Sequence, residues 1–211
     1  MMRTFAMMVL GVVLVVGLVG AQQDMAGREF SGVNLRGAKF VQCDLREARF
    51  EQCQLGAAQL LSMTEAAKLS LRNCRLDDGS WQQVTVRGLK VENSRIEGLD
   101  GYDVEIDEWE LERSDLTDLS LRYCDLRYVD VENCTIQDFE AEYLSIPRGR
   151  WRSADLSDGN FEGCDFSDGR FYRGSFEDAR FSNVDFSYAV LENCDIRGLV
   201  INGVRIDDLI D

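Results

Sequence analysis

Every fifth residue of this chain is large and apolar. The series runs Phe30, Leu35, Phe40, Leu45, Phe50, Leu55 and Leu60. It resumes one place out of phase at Leu71 and continues in steps of five to Ile206, with only Gly101 and Ala141 small among its centres. A helix repeats its faces near 3.6 residues and a flat strand at 2, so neither carries this pattern. The residue two before each centre, from Leu69 to Val204, is drawn only from Gly, Ala, Ser, Cys, Val, Leu, Phe and Trp. Two inward side chains flanking one outward side chain is the alternation of a short strand. The two residues after each centre are mostly polar and suit a turn.

The residue between the inward pair is often aspartate, as at Asp44, Asp125, Asp155, Asp165, Asp185 and Asp195. Units such as Ala154-Asp155-Leu156-Ser157-Asp158, Cys164-Asp165-Phe166-Ser167-Asp168 and Gly174-Ser175-Phe176-Glu177-Asp178 resemble the pentapeptide-repeat family. The resemblance covers residues 28–208. It implies an all-β fold, a right-handed quadrilateral β-helix with four units in each coil. At ~4.8 Å between hydrogen-bonded strands, nearly nine coils would make a rod roughly 40 Å long.

Packing detail agrees with a filled interior. Leu99 precedes the small centre Gly101, and Phe139 precedes Ala141, as volume conservation in a close-packed core requires. Six consecutive centres from Phe161 to Phe186 are phenylalanine, mostly with small partners, and read as a core stack. Residues 61–70 break the register: eleven residues separate Leu60 from Leu71 where ten would fit. A bulged corner or a short helical turn is expected there, with Thr64 available as a cap.

Seven cysteines, Cys43, Cys53, Cys74, Cys124, Cys134, Cys164 and Cys194, all occupy the small inward slot. Side chains stacked in adjacent coils should differ by 20 in number, and no cysteine pair does. Cys124 and Cys164 lie two coils apart, about 9.6 Å from the strand spacing and beyond the roughly 7 Å reach of a disulfide. The cysteines are therefore expected to be free core filler.

The first 21 residues differ in kind. Arg3 is followed by an apolar or glycine run from Phe5 to Val19, and Val19-Gly20-Ala21 places small residues before Gln22. This is the layout of a secretory signal peptide, with an uncleaved anchor as the alternative. The division expected is a signal over 1–21 and a β-helix over 22–211. An extracytoplasmic location follows: periplasm, envelope or outside the cell.

Charge and chemistry narrow the function. The formal net charge of −15 repels phosphate backbones, so no nucleic-acid partner is expected, and the membrane is met only through residues 1–21 if they stay. There is no histidine, which removes the commonest general base and metal ligand. No glycine-rich phosphate loop and no CxxC pair occurs. No catalytic residue, no cofactor and no enzyme activity are expected.

The densest surface feature is residues 97–118. Glu97, Asp100, Asp103, Glu105, Asp107, Glu108, Glu110, Glu112, Asp115 and Asp118 fall there, with only Arg113 opposing them in that stretch. About one coil long, it should form a belt suited to a basic protein surface. Asp103, Glu105, Asp107, Glu108 and Glu110 are weak calcium candidates within it. At the C-terminus Asp207, Asp208 and Asp211 should end the coil, and a mainly monomeric rod is expected, with end-to-end dimerisation as the alternative. The expected function is an exported, non-catalytic scaffold presenting charged faces. The resemblance also implies a second role, that of cytoplasmic members that mimic DNA and bind type II topoisomerases, which the export signal opposes.

Overall fold

The computed structural model describes residues 25–209, except for the side chains of residues 64 and 65. They form an all-β solenoid of about nine turns with four sides. Each side stacks one column of centres, joined by parallel pairing. Face 1 carries Phe30, Phe50, Leu71, Val91, Leu111, Val131, Trp151, Phe171 and Leu191. Face 2 includes Leu76, Ile96, Leu116 and Ile136. Face 3 carries Phe40, Leu60, Trp81, Gly101, Leu121, Ala141, Phe161, Phe181 and Ile201. Face 4 includes Ala66, Val86, Ile106 and Leu126. Among the described residues no helix is long and apolar enough to cross a membrane. The signal expected over residues 1–21 lies outside the described residues, as does Asp211.

The corners explain the period of five. The residue two after each centre sits in the left-handed region, from Gln42 at 51° to Asn193 at 55°. One left-handed residue per unit turns the chain by a quarter circuit. Asparagine, aspartate and glycine tolerate that conformation best, and they recur there at Asn73, Asp78, Gly88, Asn93, Gly98 and Asp118. On faces 2 and 4 an aspartate before the centre also braces the turn. The carboxylates of Asp44, Asp155, Asp165, Asp185 and Asp195 each accept the N–H two residues on. These Asx bonds account for the aspartate of the repeat.

Inside, rings meet edge-to-face within a coil and stack between coils. Phe161 stacks on Phe181 at 4.6 Å and Trp151 on Phe171 at 5.8 Å, whereas Phe171 meets Phe176 edge-on at 5.1 Å. Both geometries suit the aromatic quadrupole. The phenylalanine stripe is core.

The break at residues 61–70 is strand throughout, within a single strand Gln59–Arg72. Met63 pairs with Val84 and Ala66 with Val86, so the extra residue is a β-bulge between them. Backbone ladder bonds continue on both sides, which leaves no place for a helical turn.

The C-terminal end departs from the sequence reading. The repeat stops at Ile201, although its spacing runs on to Ile206. Asn202 and Gly203 both have positive φ, 49° and 79°, and the chain doubles back so that Val200–Ile201 pairs antiparallel with Val204–Arg205. Asn-Gly is the dipeptide favoured in such a two-residue hairpin. A 3₁₀ turn, Asp207–Leu209, follows. Asp207 accepts the Gly198 N–H at 2.9 Å and bonds Arg205 at 2.8 Å. The hairpin thus covers an edge that the sequence alone left to bare aspartates.

Candidate functional site

The acidic belt is spread over all four faces. Glu110 and Glu112 flank Leu111 on face 1, Asp115 flanks Leu116 on face 2, Asp100 flanks Gly101 on face 3, and Glu105 and Asp107 flank Ile106 on face 4. Half of the belt is answered by cations, several of them from neighbouring coils. Asp100 pairs with Arg122 at 3.1 Å, Asp107 with Arg87 at 3.8 Å and Glu110 with Lys90 at 3.3 Å. Glu97 pairs with Arg95 and Glu112 with Arg113. Arg113 is therefore one of five opposing cations. Arg95 lies just before the stretch, and Arg87, Lys90 and Arg122 were hidden because a coil neighbour lies about 20 places away in the chain.

Asp103, Glu105, Glu108, Asp115 and Asp118 are exposed and make no ion pair among the described residues. Asp115 and Asp118 lie on and after face 2. Asp103 sits at the corner into face 4, Glu105 on that face, and Glu108 at the corner leaving it. The five calcium candidates do not converge: no group of three potential metal ligands gathers among the described residues.

Beside Asp103 runs an aromatic column that the sequence reading did not single out. Tyr102 meets Tyr123 edge-on at 5.7 Å, and Tyr123 stacks on Tyr143 at 5.2 Å. All three rings are about half exposed. Residues 103, 123 and 143 occupy one corner position in successive coils, each with positive φ. A 20-residue spacing of tyrosines was the available signal. Where the column ends, Gly163 leaves room: a Cβ there would lie 2.9 Å from the Tyr143 ring.

Face 4 has a shallow depression of about 150 Å³ lined by Ala66, Ala67, Glu105, Asp107, Asp125 and Arg127. Arg127 pairs with Asp125 there at 2.6 Å. This bond and the charge of Asp125 hold the guanidinium even further above its ordinary range.

Positive charge collects elsewhere. Arg150, Arg152 and Arg170 stand on face 1 around a groove of about 350 Å³, and Arg173 lies over the Tyr172 ring at 4.9 Å. Arg152 bonds Glu132 at 2.9 Å, and Arg170 has no carboxylate partner among the described residues. Arg180 is on face 3. Of the arginines on the acidic rod, Arg122 pairs with Asp100 of the belt and Arg127 with Asp125, while Arg170 and Arg173 form a separate basic patch.

Six of the seven cysteines are buried, and Cys194 is half-buried; none is bridged. Burial is the chief cause pushing up the thiols of Cys43, Cys124, Cys134, Cys164 and Cys194. Cys53 and Cys74 differ from the rest: the bulge puts them in neighbouring coils, as the parallel bridge between Gln54 and Arg75 shows. The sequence expectation that no two cysteines are coil neighbours fails here, because the coil step across the insertion is 21 and not 20.

A family model for pentapeptide repeats matches eight copies, over residues 29–60 and 160–203. No curated protein matches the chain at a significant level. Among solved structures, the chain is similar to HetL, a pentapeptide repeat protein involved in heterocyst differentiation regulation from the cyanobacterium Nostoc, with 18% identity, 86% of this chain and 90% of that one covered, and a TM-score of 0.43. It is also similar to full-length QnrB1, a plasmid-mediated fluoroquinolone resistance protein, with 15% identity, 89% and 97% covered, and a TM-score of 0.32. Residues 29–60 and 160–203 are thus matched as pentapeptide repeats, and the same five-residue register continues through the residues between them.

Proposed function

We propose that this protein is a non-catalytic, exported scaffold that binds a basic protein surface along the corner between faces 3 and 4. One observation carries the reading: of three carboxylates without cation partners that border face 4, Asp103 and Glu105 lie on the side of the exposed rings of Tyr102, Tyr123 and Tyr143, with Glu108 at the face's other corner. Carboxylates attract lysine and arginine, and tyrosine faces and edges add cation–π and packing contacts. Five carboxylates of the belt are already paired within the rod, and Asp115 and Asp118, on and after face 2, have no aromatic column beside them. The absence of histidine and the convex surface support a binding role over catalysis. The apolar run from Phe5 to Val19 supports export.

Anisotropy of labelled nona-arginine tests the surface. The wild type should bind with an affinity that falls as salt rises. Asp103→Asn with Glu105→Gln and Glu108→Gln should weaken binding by about tenfold or more, and Tyr123→Ala by severalfold. Asp115→Asn with Asp118→Asn, away from this corner, should change it little. Equal losses from both sets would reduce the effect to net charge and end the proposal. Fractionation with N-terminal sequencing tests export: a mature terminus near Gln22 outside the cytoplasm is expected. Cytoplasmic protein beginning downstream of the apolar run would remove the exported reading.

A further inference from the structure

The slot two before each face 2 centre forms a column at one corner of the rod. It reads Val33, Cys53, Cys74, Ser94, Ser114, Cys134, Ala154, Gly174 and Cys194. Ser94 and Ser114 are buried there and fully bonded. The Cys74 N–H donates to Ser94 Oγ at 3.1 Å, and the Ser94 N–H donates to Ser114 Oγ at 3.2 Å. Cys53 and Cys74 are the one pair of cysteines in adjacent positions of the column. The Arg75 N–H donates to the Cys53 carbonyl at 2.9 Å, which ties the two coils together at this place. Strand neighbours stand about 4.8 Å apart, inside the 4.4–6.8 Å range of Cα separations in disulfides.

We propose that Cys53 and Cys74 are a redox-active pair that a disulfide oxidant such as oxidised glutathione converts to an intrachain disulfide, closing the coil that contains the insertion. Three observations bear on it. The two cysteines border an open polar groove of about 520 Å³, lined also by Gln52, Asn73, Arg75 and Arg113, with their side chains buried beneath it. A small oxidant reaches the sulfurs through local opening of this coil, short of global unfolding. The closeness of the two sulfurs lowers the Cys53 thiol below its ordinary value and raises that of Cys74. A thiol with a lowered pKa is the one that supplies the attacking thiolate. The remaining buried cysteines have no such neighbour, and burial raises their thiols.

The chemistry balances in two exchanges. The Cys53 thiolate, its proton passed to water, attacks one sulfur of the oxidant and forms a mixed disulfide while one glutathione thiolate leaves. Cys74 loses its proton and attacks the Cys53 sulfur, forming the Cys53–Cys74 bond and expelling the second glutathione. Two protein thiols are oxidised by two electrons, and the oxidant disulfide is reduced to two thiols.

The test uses the native full chain, treated with oxidised glutathione, alkylated with N-ethylmaleimide and digested with trypsin. Residues 50–68, carrying Cys53, should appear joined to residues 73–75, carrying Cys74. The intact protein should then take up two fewer alkyl groups than the reduced form. Dithiothreitol should restore both thiols. Cys53→Ser and Cys74→Ser should each abolish the product, while Cys134→Ser should leave it. Serine already fills this column at residues 94 and 114, so these variants keep the fold, which circular dichroism checks. A Cys194→Ser background removes pairing between molecules. Seven free thiols after treatment, pairing through other cysteines, glutathione adducts without the bridge, or a bridge formed only in urea would each overturn the proposal.

Discussion

A Cβ on Gly101 would lie 2.5 Å from Leu121 Cδ2, in the coil next to it. The space left by the smallest centre on face 3 is thus filled from the neighbouring coil. Leu99, expected from the sequence to compensate, instead packs where a side chain at Gly79 would go, 3.2 Å from that position. Volume is traded along the rod axis as well as within a coil. Gly101→Ala should cost about 1–3 kcal/mol by overpacking. The double variant with Leu121→Ala should cost less than the sum of the two singles. Urea melts of the four proteins measure this coupling, and strict additivity would show that the two sites do not share the space.

The aromatic stack gives a direct measure of core packing. Phe171 is 2% exposed and touches Trp151, Phe166 and Phe176. Phe171→Ala should destabilise the rod by about 3–5 kcal/mol, as for other buried aromatics. A denaturant midpoint shift equivalent to less than about 1 kcal/mol would mean that the ring is not enclosed.

Corner conformation can be separated from packing at Gly88. Its φ is +76°, and the nearest atoms to an added Cβ lie 3.5 Å away on Lys68, an ordinary contact. Gly88→Ala therefore meets the backbone penalty without a clash. It should cost about 1–2 kcal/mol, the usual price of the left-handed region for a residue with a Cβ. Gly88→Asn should cost less, and equal losses would assign the effect to the side chain.

The C-terminal cap should be acid-sensitive. The Arg205 guanidinium, followed by the Gly198 N–H, holds the Asp207 carboxyl well below its ordinary value of 3.8. A depressed acid contributes stability above its unfolded pKa and loses it as pH falls through its folded one. Asp207→Asn should therefore lower the melting temperature at pH 7. The gap to wild type should narrow as pH drops below 3.8 toward the depressed value. A gap that does not depend on pH would mean that the amide loses shape or packing and not charge.

Much of the fold is legible in the chain because side-chain direction is local. Phe161 and Phe166 point inward for reasons contained in their own five residues: strand alternation, an Asx-braced turn and one left-handed corner. The C-terminal hairpin was masked by the same regularity. Val204 and Ile206 keep the apolar spacing, yet Asn202-Gly203 reverses the chain before them. At the belt, local counting found the carboxylates but missed Arg87, Lys90 and Arg122, whose partners Asp107, Glu110 and Asp100 lie in adjacent coils. The stacked pair Tyr123 and Tyr143 was missed for the same reason.

From the residues alone came the period of five, and with it which side chains enter the core and which face water. Only the tertiary structure decided which of them become neighbours, because that depends on hydrogen bonds between coils. One inserted residue between Met63 and Ala66 changes the coil step locally from 20 to 21. It thereby places Cys53 against Cys74, a pairing that a constant period forbids.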